Sequence, residues 1–109
     1  MFTSNENGFT VRFHNGWTVS VQWGAGTYTE NRWKGYAQNP DCTESKNAEV
    51  AAWDADGNDH EFGDGARERG WLAPDELVEF LAAIAAQPTP DEELQHAKEQ
   101  QCRAMEEHA

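Results

Sequence analysis

The chain has 109 residues, of which 20 are acidic and 8 are basic, giving a net charge of −12 at pH 7. This length fits a single domain with one modest hydrophobic core. The charge argues against direct binding of nucleic acid and of anionic membranes, because both would repel the chain. The longest apolar stretch lies near residues 80–86 and is far shorter than the ~20 residues that cross a bilayer. With no signal peptide, we expect a cytoplasmic protein whose Cys42 and Cys102 are reduced thiols.

The negative charge is concentrated after residue 40. Residues 1–40 carry a net charge of +1, residues 41–87 carry −9 and residues 88–109 carry −4. We therefore expect a site for a small anion to lie in the first forty residues. The acidic remainder suits a basic protein partner, or is a solvated surface that has no partner.

Alternating apolar residues predict a β-hairpin over residues 8–23. A two-residue Asn-Gly turn would put the apolar residues of the two arms on opposite faces. A three-residue loop at 14–16, with Gly16 in the left-handed region, instead pairs Val11 with Val19 and gathers both apolar sets on one face. We prefer the three-residue loop because a single buried face is the simpler requirement.

A second hairpin is predicted from strands at 48–54 and 58–62, joined by an Asp-Gly turn that opposes Trp53 to His60. A helix follows from Pro74, with Asp75 and Glu76 in its first turn. The stripe that would pack on the sheet consists of Leu77, Phe80, Leu81 and Ile84.

A Pro-containing stretch at 87–90 ends that helix, and a mostly polar helical stretch follows at 91–108. This stretch could dock on the core, contact a partner or fray. The elements together predict an α+β fold, in which a small antiparallel sheet of two hairpins packs against a C-terminal helix and a polar helical tail follows. We divide the chain into a core domain at 1–87 and an acidic tail at 88–109.

The most suggestive candidate site is the segment at 23–34, called the 23–34 loop below. Its glycines would let backbone N–H groups approach an anion, Arg32 or Lys34 could neutralise the charge, and its aromatic rings could stack on a flat ring. The pattern is neither a P-loop nor a dinucleotide fingerprint, and a plain strand exit with solvent-facing side chains is the alternative. The predicted ligand-binding residues are Trp23, Gly24, Gly26, Tyr28, Asn31, Arg32 and Trp33.

The sequence offers no clear catalytic, metal or cofactor site. The segment at 54–58 resembles the start of a calcium loop, but Asp59 stands where glycine is needed and Gly65 where glutamate is needed. The histidines and cysteines lack the spacing of a zinc site. His60 and Glu61, beside Asp64, could act as an acid and a base, so a small nucleotide hydrolase remains an alternative.

Three segments carry a resemblance to other proteins: GFTVRFHNGWTVSVQWGAGTYTENR, AEVAAWDADG and GWLAPDELVEFL. Through them, residues 8 to about 86 resemble small bacteriophage proteins that have no assigned activity. The resemblance implies a protein of the host-cell cytoplasm that acts against a host defence, by sequestering a signalling nucleotide or by blocking a defence protein.

We therefore expect a non-enzymatic binding protein. In the favoured interpretation its partner is a small anionic, nucleotide-like ligand held by the 23–34 loop. In the alternative, the acidic surface inhibits a host protein by binding its basic surface as a mimic of nucleic acid. The sequence leaves the oligomeric state open, including a homo-oligomer.

Overall fold

The computed structural model describes residues 1–36 and 41–107, with the side chains of Tyr36 and of residues 105–107 left out. Within these residues the strands are β1 (Phe2–Asn5), β2 (Gly8–Arg12), β3 (Thr18–Gln22), β4 (Ala48–Trp53) and β5 (Arg69–Leu72). The helices are α1 (Pro74–Ala85) and α2 (Pro90–Glu107), and a 3₁₀ turn spans Lys34–Tyr36. The strands form one antiparallel sheet in the order β1-β2-β3-β4-β5. The predicted α+β fold, with a sheet followed by helices, is confirmed.

The first hairpin closes through the predicted three-residue loop. The Phe13 N–H donates to the Trp17 carbonyl oxygen at 2.8 Å, and Val11 lies opposite Val19. Gly16 has a φ of 91°, a left-handed conformation that favours glycine. The apolar residues of both arms therefore share the face that packs on α1.

Helix α1 covers this face of the sheet. Ile84 is buried, and the rest of the predicted stripe packs half-buried against the same cluster. Ala73 offers no side-chain cap, but its N–H donates to a Glu76 carboxylate oxygen at 3.1 Å. The buried core consists of Val11, Val19, Val21, Ala48, Val50, Ala52, Phe62, Leu72 and Ile84.

The buried side chain of Asn15 ties the first hairpin loop to the end of α1. Its Nδ2 donates to the carbonyl oxygens of Ile84 at 3.0 Å and Gln87 at 2.9 Å, and its Oδ1 accepts from the Trp17 N–H at 3.0 Å. Helix C-termini leave carbonyl groups without intrahelical partners. Asn15 supplies those partners from 69 residues away, so it joins the two layers of the fold.

The predicted register of the second hairpin is wrong by one residue. Trp53 lies opposite Asp59 rather than His60, and the Asp54 N–H donates to the Asn58 carbonyl oxygen at 3.0 Å across a three-residue loop. The Asp54 carboxylate accepts the N–H groups of Asp56 and Asn58, which stabilises the longer loop. The segment bonds to β4 only as far as His60, whose N–H donates to the Ala52 carbonyl oxygen at 2.8 Å. Strand β5 then pairs with the rest of β4, in place of the remainder of the predicted strand at 58–62.

Strands β1 and β5 were not predicted. All four residues of β1 are exposed, so no hydrophobic alternation marks it. Strand β5 contains a β-bulge, since Leu72 pairs with Ala48 and Arg69 with Val50, leaving two residues of β5 opposite one residue of β4.

Helix α2 is capped by Thr89, whose hydroxyl accepts the Glu92 N–H while the Glu92 carboxylate accepts the Thr89 N–H, each at 3.1 Å. Every described side chain of α2 is exposed. The described chain measures 72 × 29 × 23 Å. The last two residues, including the end of the predicted stretch at 91–108, lie outside the described residues. No helix in the described part of the chain is both long and apolar enough to cross a bilayer.

Candidate functional site

The 23–34 loop is anchored by Asn31, which is fully buried. Its Nδ2 donates to the carbonyl oxygens of Trp23 at 2.7 Å and Glu44 at 3.1 Å. Its Oδ1 is buried and has no hydrogen-bond partner among residues 1–36 and 41–107. Asn31, predicted as a ligand contact, is thus placed inside the protein, where it joins the loop to the segment before β4.

Trp23 also faces inward. Its ring packs edge-on against Phe9 at a centroid distance of 6.4 Å and lies against the core cluster. Its indole nitrogen is sealed from solvent and has no acceptor in the described part of the chain. Trp23 is therefore placed as a packing residue at the base of the loop.

The two predicted glycines shape the loop. Gly24 is buried beside the Asn7 side chain, and its carbonyl oxygen accepts the Thr27 hydroxyl at 2.6 Å. Gly26 has a φ of 85°, and its N–H donates to the Arg32 carbonyl oxygen at 2.9 Å. The Gly26 N–H is thus occupied within the loop, which argues against the expected approach of an anion at that group.

Three of the predicted residues meet on the surface. The guanidinium carbon of Arg32 lies 4.2 Å from the ring centroid of Tyr28 and 5.1 Å from that of Trp33. Tyr28 is 42% exposed, Trp33 is 67% exposed and Arg32 is half-buried. We call these three residues the Arg32 stack. Among the described residues, no carboxylate forms an ion pair with Arg32 and no oxygen accepts a hydrogen bond from its guanidinium.

Two carboxylates hold the 23–34 loop by accepting backbone hydrogen bonds. Glu49 on β4 accepts the Tyr28 N–H at 2.8 Å. Glu30 accepts the Lys46 N–H at 3.0 Å. Both carboxylates therefore fix the loop in place.

Lys34 neighbours the Arg32 stack in sequence but has a partner of its own. Its Nζ donates to the Asp41 carbonyl oxygen at 2.8 Å. The pKa of the Asp41 carboxyl is lowered, first by the Thr43 backbone N–H, then by the Thr43 hydroxyl, and to a smaller extent by the Lys34 charge. Lys34 and Asp41 thus form a structural contact at the end of the 23–34 loop.

A cavity of about 260 Å³ opens beside the base of the loop. Its walls are mostly apolar and include Trp23, Leu72 and Leu77, with residues 43–47 at one side. Pockets for small molecules are commonly about 300–1,000 Å³, so this cavity is too small to enclose a nucleotide. No member of the Arg32 stack lines it.

Sequence reasoning missed Trp71, which lies in the bulge of β5. Its φ is 61°, a left-handed value that is unusual for a bulky residue, and its side chain is 54% exposed. The Trp71 N–H donates to the Tyr28 carbonyl oxygen at 2.8 Å. The Gly-Trp pair in the sequence gives no signal of this conformation, because the dihedral angle follows from the bulge.

The described residues contain no grouping of three or more His, Cys, Asp or Glu side chains that could hold a metal ion. His60 packs edge-on against the rings of Phe62 at 4.8 Å, Phe80 at 5.6 Å and Trp17 at 6.4 Å. The Asp64 carboxylate accepts the Ala66 N–H at 3.1 Å. His60 is therefore a packing residue here, and no hydrogen bond in the described chain joins it to Glu61 or Asp64.

The surface formed by the Arg32 stack is the best candidate for a binding site. It combines the exposed rings of Tyr28 and Trp33 with a guanidinium that has no ion-pair partner among the described residues, and the exposed Trp71 is joined to it through the backbone of Tyr28. The function has to be argued from these side chains. A comparison with known protein families, with curated proteins and with solved structures finds no match to this chain.

Proposed function

We propose that this is a non-enzymatic binding protein that holds a small anionic, nucleotide-like ligand on the Arg32 stack. The observation that carries the proposal is the arrangement of Arg32, whose guanidinium lies over the rings of Tyr28 and Trp33 with no carboxylate paired to it in the described chain. A guanidinium in this position is held ready for a two-pronged contact with a phosphate or carboxylate.

The aromatic residues of the stack would recognise a flat ring. Stacking of one base on an aromatic side chain contributes about 1–3 kcal/mol, and it requires a ring that is accessible to the ligand. Tyr28 and Trp33 are both exposed, and the first forty residues are the least acidic part of the chain. An anion that is repelled by the remaining surface would therefore find its most favourable environment at this loop.

The biological setting we propose is counter-defence by a bacteriophage protein in the cytoplasm of its host. It rests on the sequence resemblance alone. In that setting the protein would sequester a signalling nucleotide stoichiometrically, and each molecule would remove one ligand without turning it over.

Native mass spectrometry of protein purified from cells that make nucleotide signals tests the proposal. We expect the wild-type protein to retain a small anionic ligand. Arg32→Ala should lose it, and Arg32→Lys should weaken it strongly, because an ammonium group cannot make the planar two-pronged contact. Arg12→Ala is the matched control, since Arg12 is an exposed arginine on β2 outside the loop. Retention of the same ligand by Arg32→Ala would contradict the proposal.

One observation favours a second candidate function, the inhibition of a basic host protein. Of the acidic residues whose side chains are described, all except Glu49 and Asp54 are exposed, and α2 carries four of them as an exposed helix. Such a surface suits a partner that binds nucleic acid. Reversing the charges of Asp75, Glu76 and Glu79 would then abolish inhibition, whereas Arg32→Ala would leave it intact.

A further inference from the structure

The backbone of β5 is strained next to the Arg32 stack. Gly70 and Trp71 lie together opposite Glu49 in the bulge, and it is Trp71, not the glycine, that takes the left-handed conformation with a φ of 61°. A bulky side chain is disfavoured there, whereas glycine would adopt this conformation freely. Packing in the hydrophobic core does not explain why residue 71 is a tryptophan, because more than half of its side-chain surface is exposed.

A β-bulge redirects the side chains of its strand, and bulges are over-represented beside functional sites. Here the bulge and the 23–34 loop hold each other. The Trp71 N–H donates to the Tyr28 carbonyl oxygen at 2.8 Å, and the Tyr28 N–H donates to Glu49, the residue opposite the bulge. A Cβ atom on Gly70 would overlap the Cβ and carbonyl oxygen of Tyr28. The bulge is therefore docked against the loop that carries the Arg32 stack.

These contacts place the exposed groups in a definite order. Trp33 contacts Arg32, Arg32 contacts Tyr28, and the backbone of Tyr28 contacts that of Trp71. The indoles of Trp33 and Trp71 are 67% and 54% exposed, and both belong to this series of contacts, which has the guanidinium of Arg32 within it. The series lies on an open surface, and the 260 Å³ cavity does not include its members.

We propose that Trp71 is a ligand-contacting residue and that the ligand has two flat rings joined by an anionic group. The inference rests on the proposed function and deepens it. Trp33 stacks on one ring, Arg32 binds the anionic linker and Trp71 stacks on the second ring. The strained backbone is retained because it holds the Trp71 indole outward at the end of the series.

The test uses the five tryptophans of the full chain as reporters. Each indole N–H gives one signal in a ¹⁵N-correlated NMR spectrum, and single Trp→Phe variants assign the signals. The probes are NAD⁺, which has two rings joined by a pyrophosphate, and AMP, which has one ring. We expect NAD⁺ to shift the signals of Trp33 and Trp71, while the inward-facing Trp23 stays unchanged as an internal reference.

Affinities measured by isothermal titration calorimetry give the second readout. Trp71→Gly should fold, because glycine suits the left-handed position, and we expect it to weaken NAD⁺ binding at least tenfold and AMP binding less than twofold. Phe2→Ala is the matched control, since Phe2 is an aromatic residue 81% exposed on the opposite edge strand. It should bind both probes like the wild type.

The possible outcomes separate the two proposals. If NAD⁺ shifts Trp33 but not Trp71, or if Trp71→Gly binds NAD⁺ normally, the role of Trp71 is overturned and the Arg32 stack stands. If Trp71 responds without Trp33, the two-ring ligand is overturned. If neither probe shifts either indole, both the proposed function and this inference are contradicted.

Discussion

Two neighbouring residues of the 23–34 loop are used in opposite ways. Asn31 is fully buried and donates two hydrogen bonds to backbone carbonyl groups. Arg32, the next residue, lies at the surface between two rings and has no ion-pair partner in the described chain. The inner side of the loop thus determines its shape, while the outer side presents groups that the fold itself does not need.

This difference separates residues that support the fold from residues that are available to a ligand. A substitution on the inner side should lower the stability and thereby the binding, whereas one on the outer side should lower the binding alone. Measuring both quantities for the same variant therefore tells which side a residue belongs to. Four substitutions test the comparison, in order of their expected effect on stability.

Asn31→Ala should have the largest effect. It leaves the part-buried carbonyl oxygens of Trp23 and Glu44 without this donor, and an unsatisfied buried group costs about 1–3 kcal/mol. We expect the free energy of unfolding to fall by about 3–4 kcal/mol in urea denaturation. Asn58→Ala, at an exposed asparagine, is the control and should change it far less. A variant of Asn31 with wild-type stability would place Asn31 among the ligand contacts after all.

Gly70→Ala should follow. The new Cβ would overlap backbone and Cβ atoms of Tyr28, which cannot move aside without lifting the loop from β5. Overpacking of this kind costs about 1–3 kcal/mol, and displacement of Tyr28 would also disturb the Arg32 stack. Gly63→Ala is the control, because no atom of the described residues lies within 4 Å of a Cβ at that position. An undisturbed near-ultraviolet circular dichroism spectrum in Gly70→Ala would show that the loop is not docked as described.

Arg32→Ala should hardly change the stability. The contacts with Tyr28 and Trp33 are cation–π interactions at an open surface, where each contributes about 0.5 kcal/mol. We therefore expect the melting temperature to fall by only a few degrees, together with the loss of ligand in native mass spectrometry. A large loss of stability would instead show that Arg32 supports the fold, as Asn31 does.

The smallest effect should come from the Asp41 carboxylate at the end of the loop. Its folded pKa lies below its ordinary value of 3.8, mainly because the Thr43 N–H and hydroxyl donate to it. The ionised carboxylate therefore stabilises the folded state above pH 3.8, and this contribution is lost as the pH falls through the folded pKa. The stability difference between wild type and Asp41→Ala should be present at pH 5 and should shrink as the pH falls below 3.8. A difference that is constant with pH would contradict this cause.

The sequence predicts the parts of the fold that a repeating pattern encodes. The three-residue loop followed from the demand that Val11 and Val19 share a face, and the structure confirms it. The predicted register of the second hairpin is wrong because the Asp54 carboxylate accepts N–H groups of the turn and stabilises a loop that is one residue longer. The alternation of apolar residues does not indicate this loop length. Strand β1 has no apolar alternation, so nothing in its sequence distinguishes it from a loop.

The candidate site was predictable in composition but not in geometry. Tyr28, Arg32 and Trp33 stood out because aromatic residues and arginine interleave in the least acidic segment. Asn31 has a residue type that usually lies at the surface, so only the structure shows its two backbone acceptors. Trp71 lies 43 residues beyond Tyr28 along the chain, and only the pairing of β5 with β4 brings the two together.

The hydrogen bonds of Asn15 to the end of α1 affect the order in which the molecule folds. The β1–β2 and β2–β3 pairs are local hairpins that can form early, whereas β3 pairs with β4 across a long connection. The hydrogen bond from Asn15 to Ile84 spans 69 residues and requires both layers to be in place. We expect it to form after the transition state, so Asn15→Ala would accelerate unfolding and leave the folding rate nearly unchanged. One amide would then govern how long the native state lasts rather than how quickly it is reached.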